Sequence, residues 1–62
     1  MIWELYEVWG AEADGHEELI DTTHSLKEAV TLAQESLTDQ FVETIIYKET
    51  EDGDLKLVQT FK

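Results

Sequence analysis

The sequence carries one helical signal, and it lies in the middle of the chain. Ser25-Leu26-Lys27-Glu28 is a capping box: the serine hydroxyl accepts from an orphan N–H, and the glutamate three residues on reaches back. Leu26, Ala29, Val30, Ala33 and Leu37 follow at helical spacing as one apolar stripe, while Lys27, Glu28, Thr31, Gln34 and Glu35 face water. The spacing predicts a helix from Leu26 to Thr38, with Asp39 unfavourable to the dipole at its C-terminal end. One helix covers one face of a sheet, so the flanking segments decide the fold.

Ile2 to Trp9 is rich in β-branched and aromatic residues and reads as a strand. Ile2, Tyr6 and Val8 share one face with Glu4, and Trp3, Leu5 and Trp9 share the other with Glu7. A strand apolar on both faces belongs inside a sheet. Gly10 to Gly15 reads as a turn tightened at Asp14-Gly15, and Glu17 to Thr22 as a short acidic strand suited to an edge. Gln40 to Thr50 is a second strong strand, Glu51-Asp52-Gly53-Asp54 a hairpin turn, and Leu55 to Phe61 a fourth strand. If Asp52-Gly53 is a two-residue loop, Glu49 opposes Lys56 and Tyr47 opposes Val58.

The expected architecture is therefore α+β: a single ββαββ domain over residues 1–62, with a four-stranded, mainly antiparallel sheet and one helix on one face. Two strand orders remain open. One is 2-1-3-4, fully antiparallel. The other is 2-1-4-3 with strands one and four parallel. In size and element order the second resembles β-grasp folds such as the immunoglobulin-binding domains of streptococcal protein G.

Charge narrows the function. Fifteen Asp and Glu stand against four Lys and no Arg, a formal net charge of −11. Direct binding of nucleic acid or of an anionic membrane needs the opposite sign. The hydrophobic fraction of 42%, with six aromatics, is that of a folding chain rather than a disordered acidic tail. There is no Cys, hence no disulfide framework, thiolate zinc site or Cys nucleophile. A core this small, under self-repulsion, also makes a homodimer a live expectation. No apolar run approaches the ~20 residues of a membrane span. Met1-Ile2-Trp3-Glu4 has no basic n-region, so the expected location is cytoplasmic, the host cytoplasm if the protein is viral.

The chemistry-bearing residues point away from catalysis. Carboxylates are too plentiful for any pair to stand out, and acid–base work needs a desolvated pocket. His16 and His24 have acidic neighbours but no metal-ligand spacing, and the turns holding Asp14, Asp52 and Asp54 lack the EF-hand pattern. Ser25 and Ser36 belong to the helix, and the three glycines are isolated. The expectation is no enzyme activity, no cofactor and no metal.

Seven acids precede the first Lys, at position 27, and Glu49, Glu51, Asp52 and Asp54 form a second cluster. A charge of −11 exceeds the magnitude of about 2–8 that keeps a small domain soluble. Carboxylates at i and i+2 on a strand lie ~6.8 Å apart, near twice the ~3.4 Å rise per nucleotide in one DNA strand. The chain resembles, in size and charge class, the small acidic proteins of bacteriophages and mobile elements that inhibit restriction, CRISPR or host DNA-binding proteins by occupying the DNA site. The expected function is a non-enzymatic, DNA-mimic inhibitor of that kind, such as an anti-CRISPR or anti-restriction factor. Its partner would be a basic, nucleic-acid-binding protein, met by Glu12, Asp14, Glu17, Glu18 and Asp21, with Glu49, Glu51, Asp52 and Asp54 as a secondary patch. The aromatics Trp3, Tyr6, Trp9, Phe41, Tyr47 and Phe61 all fall on the expected strands, and those not under the helix leave an apolar patch with an acidic rim. The alternative is a homodimer paired through that open face, with Trp3 or Trp9 between the subunits and the charge serving only solubility.

Overall fold

The computed structural model describes residues 4–62. Its elements follow as β1 (Leu5–Ala11), β2 (Glu17–Thr23), α1 (Leu26–Glu35), β3 (Glu43–Glu49) and β4 (Leu55–Phe61). They form one sheet in the order β2-β1-β3-β4, with every pairing antiparallel. This is the ββαββ, α+β architecture expected, and of the two strand orders it is the fully antiparallel one, not the β-grasp order. β1, the strand richest in apolar residues, and β3 pair with each other at the centre. Consecutive Ile45 and Ile46 are 7% and 0% exposed, so β3 buries a side chain on each of its faces.

Helix α1 starts where the capping box places it. Ser25 is extended, and its hydroxyl accepts from the Glu28 N–H at 3.3 Å. The return limb differs from the simple box. Ser25 N–H donates to Thr23 Oγ1 at 3.2 Å, and that hydroxyl donates to the Glu28 carboxylate at 2.7 Å. The helix stops at Glu35, three residues short of Thr38. Leu37 N–H turns back to the Gln34 carbonyl, and the Thr38 hydroxyl accepts from the N–H groups of Gln40 and Phe41, so local bonds from Thr38 replace further helix.

Ala29 and Ala33, both 0% exposed, press against Tyr6, Val8 and Ile46. Ile20, Val30, Leu32 and Phe61 pack around them. Leu26 of the expected stripe is exposed instead. Buried Thr44 donates its hydroxyl to the Ala33 carbonyl at 2.9 Å, satisfying an acceptor that the helix end leaves without an intrahelical partner.

Three local expectations need correction. Strand one does not end at Trp9 but continues through Gly10 and Ala11. A Cβ on Gly10 would lie 2.6 Å from Phe41 Cγ and Cδ1, so this glycine admits a ring and is not a turn residue. Phe41 lies in the loop before β3 rather than in a strand. The last hairpin turns on three residues, Glu51-Asp52-Gly53, between Thr50 and Asp54, whose N–H and carbonyl close at 2.8 Å. Gly53, at φ +86, supplies the left-handed position of that loop, as Gly15 at φ +94 does for Ala13-Asp14-Gly15. The register therefore sets Lys48 opposite Lys56, Glu49 opposite Leu55 and Tyr47 opposite Leu57.

β2 is an edge strand, as its charge suggested, and β4 is the other. Each carries one register shift, at Ile20 in β2 and at Val58 in β4, the kind of bulge that blunts an edge. The helix lies over β1, β3 and β2. Residues 55–60 of β4 are all exposed.

Candidate functional site

The pairings of β1 with β3 fix where the charge goes. Ala11 opposes Glu43 and Leu5 opposes Glu49, so the β1–β2 turn and the β3–β4 turn lie at opposite ends of the sheet. Glu12, Asp14, Glu17 and Glu18 gather at one end, with Asp21 farther along β2 opposite Val8. Glu49, Glu51, Asp52 and Asp54 gather at the other. The structure thus gathers Glu12, Asp14, Glu17 and Glu18 at one end and the whole second cluster at the other, and leaves Asp21 apart beside α1, in a molecule 39 × 20 × 15 Å.

These carboxylates have little local neutralisation. Asp14, Glu17, Glu18, Asp21, Glu51, Asp52 and Asp54 are exposed, and Glu12 and Glu49 are half-buried. Among the described residues the ion pairs with lysine are Glu4 with Lys48 at 3.1 Å and Glu43 with Lys62 at 3.6 Å, neither in the expected set. Glu12 lies 4.0 Å from the His16 ring. Asp14 accepts the His16 N–H at 3.0 Å and Asp21 the Thr22 N–H at 2.8 Å, single backbone bonds that leave the charges facing solvent.

Glu4 and Glu7, which interrupt the two faces of strand one, are each tied down by an aromatic two residues on. Glu4 accepts from Tyr6 Oη and Lys48 Nζ, both at 3.1 Å. The lysine, and then the tyrosine, hold the Glu4 carboxyl below its usual range. Burial, reinforced by Glu4, pushes the Tyr6 phenol up, and Glu4 raises the Lys48 amine. Glu7 accepts from Trp9 Nε1 at 3.0 Å.

Alternation along β1 and β3 sorts the remaining aromatics. Tyr6 and Phe61 pack on the helix side with Phe41 over Gly10, whereas Trp9 and Tyr47 lie on the open side. Trp3 lies outside the described residues. The open face also holds Leu5, Ala11, Leu19, Ile45, Leu55 and Leu57, together with Glu7, Glu17, Glu43 and Glu49. Alternation along strand one already sets Glu7 beside Trp9; Glu43 and the leucines Leu19, Leu55 and Leu57 join this surface through strand order and register, which local pattern does not give.

His16 lies in the first turn and His24 at the far end of the sheet, where its Nδ1 is 2.9 Å from the Glu4 carbonyl oxygen. Among the described residues no three His, Asp or Glu side chains are grouped to hold a metal ion. An open groove of about 590 Å³ between β2 and α1 is lined by Asp21, Thr22, Thr23, Ser25, Lys27, Glu28, Thr31 and Leu32; its Thr23, Ser25 and Glu28 are engaged in the helix cap. No described helix is long and apolar enough to cross a membrane. Comparison with protein families, with characterised proteins and with solved structures gives no match.

Proposed function

We propose that this chain is a non-enzymatic inhibitor that binds the basic surface of a nucleic-acid-binding protein in place of DNA. The observation that carries the reading is the pair of carboxylate clusters, free of lysine ion pairs among the described residues, at opposite ends of a 39 Å molecule. One turn of B-DNA spans about 34–36 Å, so a groove built for one turn has the length to meet both clusters. Glu12, Asp14, Glu17, Glu18 and Asp21 take one half of that contact, and Glu49, Glu51, Asp52 and Asp54 the other. A charge of −11 steers such a partner from a distance and makes the association salt-sensitive. The reading extends to a phage or mobile-element counter-defence role, of the anti-CRISPR or anti-restriction kind, acting in the host cytoplasm.

The homodimer reading draws on the apolar residues of the open face. The carboxylates Glu7, Glu17, Glu43 and Glu49 share that face, and a two-fold axis would set this acidic surface against an equally acidic one; this favours the first reading.

The test is displacement. Bacterial lysate proteins are loaded on duplex-DNA cellulose and eluted with this protein. A discrete set of proteins should be released at low salt, and far less by a Glu17→Lys, Glu18→Lys double variant of intact fold. Equal release by the variant, or release indifferent to salt, contradicts the reading.

A further inference from the structure

We infer that the uncovered face of the sheet is the docking surface for a cationic amphipathic helix of the partner; this rests on the proposed reading and names the contact that adds to charge. The antiparallel register sets Leu19, Trp9 and Ile45 abreast, with Tyr47 and Leu57 in the next row and Leu55 beyond. Leu19, Leu55 and Leu57 are 46%, 45% and 58% exposed, Trp9 and Tyr47 are half-buried and Ile45 is buried, so the accessible part of the belt is three leucines and two aromatics. It runs between the two acidic ends.

The distribution of lysine selects the occupant. Lys48 opposes Tyr6, whose side chain is in the helix-side core, and Lys56 opposes Lys48; both therefore lie on the helix side. Lys27 is in α1 itself. Lys62, just past β4, reaches Glu43. Glu7, Glu17 and Glu49 remain on the open face with no lysine ion pair among the described residues. An apolar belt with carboxylates beside it complements an apolar stripe flanked by Lys or Arg, with the cations also able to lie over Trp9 and Tyr47. A helix laid there would repeat on this face what α1 does on the other. A second copy of this chain would present a face of the same charge sign.

Two synthetic peptides test the inference: a helical peptide with leucine on one stripe and lysine elsewhere, and oligolysine of equal charge. The amphipathic peptide should bind the full chain at least about tenfold more tightly. Leu57→Gln and Leu19→Gln, exposed positions whose replacement keeps the charge, should each remove most of that preference and leave oligolysine binding unchanged. Equal affinity for the two peptides, unmoved by either substitution, overturns the docking face while leaving charge mimicry standing. Failure of both peptides to bind at low salt overturns both. A dimer in sedimentation that Leu57→Gln dissociates assigns the face to a second copy and overturns the inference.

Discussion

At Gly10 the backbone of β1 passes directly beneath the Phe41 ring, with Ile20 Cδ1 3.0 Å from where a Cβ would sit. Gly10→Ala should therefore cost about 1–3 kcal/mol by overpacking, read as a lowered urea midpoint at unchanged slope. An unchanged midpoint would mean that the ring does not lie there. From sequence alone this glycine looks like the start of a turn, because G-A-E-A-D-G is bounded by glycines with Asp14 before the second, and nothing local announces Phe41, thirty-one positions on. Glu4 offers a second residue-scale test. Its folded carboxyl titrates below the ordinary value of 4.5, so its contribution to stability is present above that value and is lost as pH falls through the depressed one. Glu4→Gln should lower the melting midpoint at pH 7, and the gap from wild type should close in acid. A gap that is constant with pH rules out the Lys48 and Tyr6 bonds as its source.

The elements differ in how firmly they are held. β1 and β3 are each paired on both sides and carry most of the buried residues, whereas β4 is paired on one side and exposed from Leu55 to Thr60. Amide exchange should be slowest in β1 and β3 and markedly faster in β4; uniform protection would contradict this order. Thr44 links sheet to helix through one buried hydroxyl, and Thr44→Val, nearly isosteric, should cost about 1–3 kcal/mol by leaving the Ala33 carbonyl unsatisfied. At this scale much was legible in the sequence. The element order, the capping serine, the central place of strand one and the acidic edge all follow from local pattern. Strand order did not, because strands three and four both carry enough apolar residues to lie beside strand one. The last register did not either: D-G fits a two-residue loop, and the third loop residue, Glu51, is marked only by the Thr50–Asp54 closure. That one-residue difference moves Lys56 from opposite Glu49 to opposite Lys48.

For the whole molecule, the separation of charge follows from the direction of β3. Both strand orders open to the sequence run the third strand opposite to the first, so either sets the two clusters at opposite ends; the structure adds the register that fixes which residues stand there. A chain at −11 with so few ion pairs should gain stability as salt screens its self-repulsion, its melting midpoint rising between about 0.02 M and about 0.5 M salt. A midpoint that falls would mean the few ion pairs outweigh the excess charge. In the proposed inhibitor both ends act together against one basic surface. Calorimetric titration tests it on a protein displaced from DNA, using Glu17→Lys with Glu18→Lys, Glu51→Lys with Asp52→Lys, and the combined variant. Each pair should weaken binding by at least about tenfold, and their free-energy losses should add, as they do for distant sites on one rigid body. Undiminished affinity in the combined variant would show that the acidity serves solubility alone and would contradict DNA mimicry.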